Sequence, residues 1–325
     1  MQKSTSRILR VGLVVLAVAM LVTPALAGSH KKRVSGPINE PQDVTRQCLK
    51  CHKGSALDLM KTGHWTWSHE QEVNGQTVAV GKKTFINNYC TSIAANEQFC
   101  AKCHIGYGMT DSRTFDFNNP ENIDCLVCHD TTGRYAKKGN GAGMPSDQVD
   151  LLDAAQNVGK PGRDNCGSCH FFGGGGDAIK HGDLDSTLSY PDRELDVHMD
   201  MEGNDFACIE CHVTENHLVS GNSLGSGPAG MNPVTCTQCH EENVHSESIL
   251  NAHVDTVACQ TCHIPVIAKR MATKLDWDWS QAGDDTRGPE KDEHGHATYV
   301  KKKGKFVYGE HLTPEYYWSN GKGGI

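Results

Sequence analysis

Fourteen of the chain's 15 cysteines fall in seven copies of Cys-x-x-Cys-His. They are Cys48, Cys51 and His52; Cys100, Cys103 and His104; Cys125, Cys128 and His129; Cys166, Cys169 and His170; Cys208, Cys211 and His212; Cys236, Cys239 and His240; and Cys259, Cys262 and His263. Two thiols on one short turn, followed at once by an imidazole, read as a covalent c-type haem attachment site. The thiols add to the two porphyrin vinyl groups, and the histidine turns back beneath the ring to ligate the iron. A zinc reading would need a second pair of ligands at suitable spacing, and zinc does not require the adjacent histidine. A set of disulfides gives no reason for histidine at the fifth position seven times.

An electron-transfer haem takes a second strong ligand, most often histidine. Of 18 histidines, 11 lie outside the motifs, a surplus beyond ordinary surface use. His64, His181, His198, His217, His245 and His253 stand between motifs, often a short loop from one, and are the candidate distal ligands. His69, His294, His296 and His311 read as readily as solvated residues, and His30 sits in a leader expected to be disordered. Six distal histidines for seven irons leave one iron with a weak or open sixth position. Such an iron can bind a substrate, whereas a fully bis-histidine set only passes electrons. Cys90 is the one cysteine outside the motifs. Burial as an inert thiol, pairing between chains and chemical use are all open to it.

The elements that position these residues are short. Lys3, Arg7 and Arg10 precede an apolar run over 11–22 and the cleavage triplet Ala25-Leu26-Ala27, so residues 1–27 read as a cleaved secretory signal peptide. The run is shorter than the ~20 residues of a membrane span. Residues 28–46 read as a leader and 47–325 as a single multihaem domain. The spacings between successive first cysteines, 52, 25, 41, 42, 28 and 23, exclude a solenoid of fixed repeat. Short helices are expected on or just after the motifs, and Ile249–Ala258 is a further weak helical stretch. Strand signal is poor except for a hairpin from residues 297–300 and 305–308. The expected fold is mainly α with extensive irregular loops and few short strands, organised around packed haems. Low aromatic content (6%), mean hydropathy of −0.50 and 34 glycines fit a chain whose core is porphyrin. The net charge is −8, and removing the signal's three positive charges leaves −11. That argues against nucleic acid and anionic lipid as partners, though a local basic site for an anion remains open.

Further segments carry a resemblance. Gly63-His-Trp-Thr-Trp67, Phe85-Ile-Asn-Asn-Tyr-Cys90, Cys103-His-Ile-Gly-Tyr107, Cys125-Leu-Val-Cys-His-Asp-Thr-Thr-Gly133, 165–180 and Cys259-Gln-Thr-Cys-His-Ile-Pro265, with the first motif, are similar to the octahaem tetrathionate reductase family of c-type cytochromes. The likeness runs from about Cys48 to Trp318. It implies that Lys180, in Asp177-Ala-Ile-Lys180 after the glycine run 173–176, replaces histidine as distal ligand of the second haem. It also implies that Asp177 and Cys90 line the same pocket. Family members carry eight haems. This chain has seven motifs, and reads either as short of the eighth or as a seven-haem variant.

The resemblance implies a periplasmic, or otherwise exported, reductase of small sulfur or nitrogen compounds such as tetrathionate, nitrite and hydroxylamine. Its electrons would come from partner cytochromes or quinol-linked donors. The alternative is a non-catalytic conduit or filament-forming cytochrome with every iron six-coordinate. A lysine must lose a proton to ligate iron, which from a reference near 10.4 costs roughly 4–5 kcal/mol at neutral pH. Asp177 would lie one turn from Lys180 if the segment is helical. The Cys90 thiolate could exchange with the S–S bond of a polythionate.

Overall fold

The computed structural model describes residues 30–73, 75–84, 93–173, 176–179, 182–221, 234–241 and 243–318. The expected signal peptide and the candidate residues Cys90, Lys180 and His181 lie outside them. Ten short helices are described: α1 (Pro41–Leu49), α2 (Ser55–Leu59), α3 (Gly63–Thr66), α4 (Glu97–Cys100), α5 (Leu126–His129), α6 (Leu151–Gln156), α7 (Arg163–His170), α8 (Cys208–Cys211), α9 (Ser248–Asn251) and α10 (Gln260–His263). Single 3-10 turns lie between them. The expectation of helix on the motifs holds at α5, α7, α8 and α10. Around Ile249 only the one-turn α9 forms.

Residues 28–46 are more than a leader. Glu40 and Asp43 form a capping box at the start of α1, which opens with Pro41. The helix buries Val44 and Thr45 fully, and with Val34, Leu126, Ala154 and Ala155 it forms one core. The Thr45 hydroxyl donates to the Ile123 carbonyl at 2.6 Å, tying this start of the chain to the approach of the third motif. A second core joins Ala56, Trp65, Ile105, Ile123 and Val127, and a third joins Trp67, Ile93, Ala101 and Met109. All three lie within residues 34–155.

Strands are more extensive than expected. An antiparallel hairpin of β1 (His69–Val73) and β2 (Gln76–Val80) turns at Gly75, whose φ of +78° favours glycine. Its polar sequence gave no apolar alternation to read. A minimal pair, β3 (Thr214–Glu215) and β4 (Leu218–Val219), comes after the fifth motif. The expected hairpin, β7 (Ala297–Val300) and β8 (Gly304–Gly309), forms, but inside a four-stranded antiparallel sheet ordered β5-β8-β7-β6, with β5 (Thr273–Asp278) and β6 (Glu290–Lys291). Tyr299 and Phe306 are its buried aromatic residues, and Trp277 stacks on Trp279 at 4.4 Å between ring centres. No described helix is long and apolar enough to cross a membrane.

Candidate haem centres

Each motif needs its two sulfurs and its imidazole on one turn. In five motifs the histidine N–H donates to the carbonyl of the first cysteine, four residues back, at 2.8–3.1 Å: His52, His129, His212, His240 and His263. The fourth motif lies within α7. The second differs. His104 donates instead to Ala101, three residues back, at 3.0 Å, and its own backbone is extended (φ −82°, ψ 140°).

Five motif histidines face a second imidazole. The ring centres are 6.4 Å apart for His52 and His30, 6.5 Å for His129 and His217, 6.1 Å for His170 and His64, 6.0 Å for His240 and His198, and 6.0 Å for His263 and His245. Two metal–nitrogen bonds of about 2.0 Å, and about 1.1 Å from each ring centre to its ligating nitrogen, place two axial imidazoles about 6.2 Å apart. The donor set therefore fits an iron held between each pair. Second contacts orient some rings: His129 Nδ1 lies 2.9 Å from the Gly159 carbonyl and His212 Nδ1 2.8 Å from that of Ser220, leaving Nε2 for a metal. The buried Nδ1 atoms of His217 and His245 have no hydrogen-bond partner.

The pairing adds one residue and withholds others. His30, set aside as leader, stands over His52 in a short 3-10 turn. Of the candidate distal ligands, His64, His198, His217 and His245 each stand opposite a motif histidine. His253 is exposed at the end of α9, and no described histidine ring faces it. His212 and His104 likewise have no opposing histidine among the described residues. His296 is held elsewhere, by Asp292 at 2.9 Å and against the Tyr308 ring.

His104 is enclosed by aromatic rings. It is 0% exposed, with Trp65 and Trp67 each 5.4 Å away between centres, Phe115 at 5.6 Å and Phe117 at 6.0 Å. Trp65 is fixed by its indole N–H to the Phe117 carbonyl at 2.9 Å, and Trp67 caps α3 in the left-handed region (φ 59°). A Cβ on Gly106 would come 2.7 Å from the His104 ring, so only glycine fits there. The ring's Nε2 lies 2.6 Å from the Trp65 carbonyl, and Nδ1 is the nitrogen without a partner. Burial holds the imidazole down to about 4, so the ring is neutral, with its proton on Nε2 toward the Trp65 carbonyl and the free lone pair on Nδ1. Positive charge gathers around this motif. The Cys103 thiol is held down to about 6, first by its neighbour Cys169 and then, against burial, by Lys82, Lys102 and Lys137. Lys83 sits over the Phe117 ring at 4.6 Å.

Thiols of different motifs lie side by side. Cys48 is within hydrogen-bonding reach of Cys125, Cys103 of Cys169, Cys166 of Cys208 and Cys236 of Cys259. Motif one therefore adjoins three, two adjoins four, four adjoins five, and six adjoins seven. Asn165 of α7 also donates to the Asp130 carbonyl at 3.0 Å, joining motifs three and four.

The stretch holding Asp177 corrects one expectation. Ala178 is left-handed (φ 56°) and 1% exposed, so residues 176–179 form a bend and turn, not the helix considered for this segment. Asp177 accepts hydrogen bonds from the Ser186 N–H (2.9 Å) and hydroxyl. The segment is pinned to the base of the sheet by Lys274 N–H to the Ile179 carbonyl (3.1 Å) and Lys269 N–H to Asp183 (2.7 Å).

The chain is similar to known proteins. A family model described as bacterial cytochrome c matches residues 274–324, a stretch that contains nearly all of the four-stranded sheet. The solved structure of octaheme cytochrome c from Shewanella oneidensis is 52% identical, covers 91% of this chain and superposes with a TM-score of 0.83. This chain spans 66% of that one's length. An uncharacterized protein of Archaeoglobus fulgidus is 25% identical over 229 residues, 55% of this chain and 76% of its own. The chain belongs to the multihaem c-type cytochromes, and covalently bound haem c and electron transfer come with that membership.

Proposed function

We propose that the chain is an exported, periplasmic multihaem reductase with seven haems c, one per motif, the second serving as the site of substrate reduction. The observation that carries the reading is the contrast at His104. Five motif histidines face a second imidazole, while His104 is walled by four aromatic rings and surrounded by lysines in an acidic chain. The five pairs are proposed as axial ligands of the first, third, fourth, sixth and seventh haems. Bound haem supplies one-electron redox chemistry at iron. The chain supplies the rest. Aromatic walls hold the His104 imidazole away from bulk water, and Lys82, Lys83 and Lys102 give the motif a positive field that attracts a small anion.

Lys180 is proposed as the displaceable sixth ligand there, Asp177 as the group that passes protons, and Cys90 as a thiol able to exchange with the S–S bond of a polythionate. Tetrathionate, nitrite and hydroxylamine are the proposed substrates, and soluble cytochromes or quinol-linked enzymes the donors. Purified protein titrated with cyanide, nitrite or hydroxylamine should show a spectral change in a minority of its haem, and Lys180→Ala should alter that band and lower turnover. Silence toward every ligand at all potentials would return the conduit reading in its place.

A further inference from the structure

Between the second and third motifs lies a buried ion pair that the function above does not use. The Lys137 and Asp124 side chains are 3% and 0% exposed and meet at 3.1 Å. Their ends point to different motifs. Lys137 Nζ donates to the His104 carbonyl, and Asp124 immediately precedes Cys125. The carboxylate is held by the hydroxyls of Tyr107 (3.1 Å) and Tyr135 (2.7 Å) and by the Val127 N–H (3.2 Å). The strips around it are also fixed. Asp124 N–H donates to the Ile105 carbonyl at 2.7 Å, Tyr107 N–H to that of Asn122 at 2.8 Å, and Gly106 bridges Ile123. Neither charge can turn without breaking this antiparallel strip.

We propose that the Asp124–Lys137 pair is a fixed dipole that holds electrons at the second haem in preference to the third. This rests on both motifs carrying haem, not on the identity of the substrate. A nearby positive charge stabilises the state with one more electron, a negative charge destabilises it, and burial away from water leaves both fields weakly screened. The contacts set the asymmetry: the ammonium meets the carbonyl of His104 in the second motif, and the carboxylate accepts from the Val127 N–H inside the third. One electron leaves one centre as another gains it, no proton moves, and the pair itself is unchanged. Lys137 and Asp124 are positioning residues acting through the segments they touch.

The test is a potentiometric titration of the holoprotein followed in the visible bands. Lys137→Met should lower the second haem's potential, shifting the electron partition between the two about tenfold toward the third, or about 59 mV for a one-electron couple. Asp124→Asn should raise the third haem's potential, a shift of opposite sign, and Lys137→Arg should restore the parent values. If Lys137→Met fails to mature because Asp124 is left buried and unpaired, the double variant Lys137→Met with Asp124→Asn carries the test, and the gap between the two transitions should narrow. Transitions that stay in place, or all move in one direction, overturn the dipole. The second haem is tracked by the band that answers cyanide. If no band answers, the substrate-site reading fails, while opposite shifts among the transitions still decide the dipole.

Discussion

The second and seventh motifs are built in opposite ways. Around His104 the chain spends large side chains: Trp65 is 1% exposed, Tyr107 1% and Met109 0%, and no described histidine stands opposite. Around His263 it spends almost none. The helices α9 and α10 bury no residue, Ile249 is 68% exposed, and His263 faces His245 at 6.0 Å. The lesson is a division of labour. Where two imidazoles clasp a metal, coordination fixes geometry and the polypeptide can be thin. At His104 dense packing takes the part of the second imidazole, whereas His212, also unopposed among the described residues, follows α8, which buries nothing.

The largest change would come from making the seventh site resemble the second. His245→Ala removes the opposing imidazole, and cyanide titration should then find one more ligand-binding haem than in the parent protein. An unchanged count would mean that His245 is no ligand. Next in size is the packing itself. Trp65→Ala should cost about 3–5 kcal/mol in denaturant unfolding, while Ile249→Ala near the seventh motif should stay within about 0.5 kcal/mol. Equal losses at the two positions would erase the comparison.

The smallest effect lies between the two regions. Asp185 is fully buried, and one carboxylate oxygen has no partner while the other accepts from the Thr187 N–H. Burial pushes its carboxyl above the ordinary range. The folded state therefore holds the proton more tightly than the unfolded chain, and stability falls as pH rises above about 4. Asp185→Asn keeps the cap and removes the buried charge. It should raise the melting temperature at pH 7 by about 2–4 °C, with the gain vanishing below about pH 4. A gain that persists in acid would contradict the assignment.

Much of the site was legible because haem attachment is written locally, in five consecutive residues. Four of the six distal candidates, His64, His198, His217 and His245, stand opposite motif histidines. His30 was set aside as part of a disordered leader, and its place over His52 depends on α1 folding back against residues 121–123. The turn at Ala178 was hidden because nothing in Asp-Ala-Ile-Lys signals a left-handed residue. The Asp124–Lys137 pair was out of reach for a related reason, since charged residues 13 apart are normally solvated and their burial is decided by long-range closure. The sheet was half visible. β7 and β8 alternate, whereas β5 carries charges on Lys274, Asp276 and Asp278 and pairs only once β8 is in place.

The neighbouring thiols carry a consequence for how the protein is made. Cys48 with Cys125, Cys103 with Cys169, Cys166 with Cys208 and Cys236 with Cys259 would meet as free sulfhydryls in any chain that collapsed before its cofactors arrived. In an oxidising compartment such partners cross-link, and each wrong bridge would disable two attachment points at once. Attaching porphyrin to an extended, reduced polypeptide before compaction would keep these sulfurs apart, with folding as the last event of assembly.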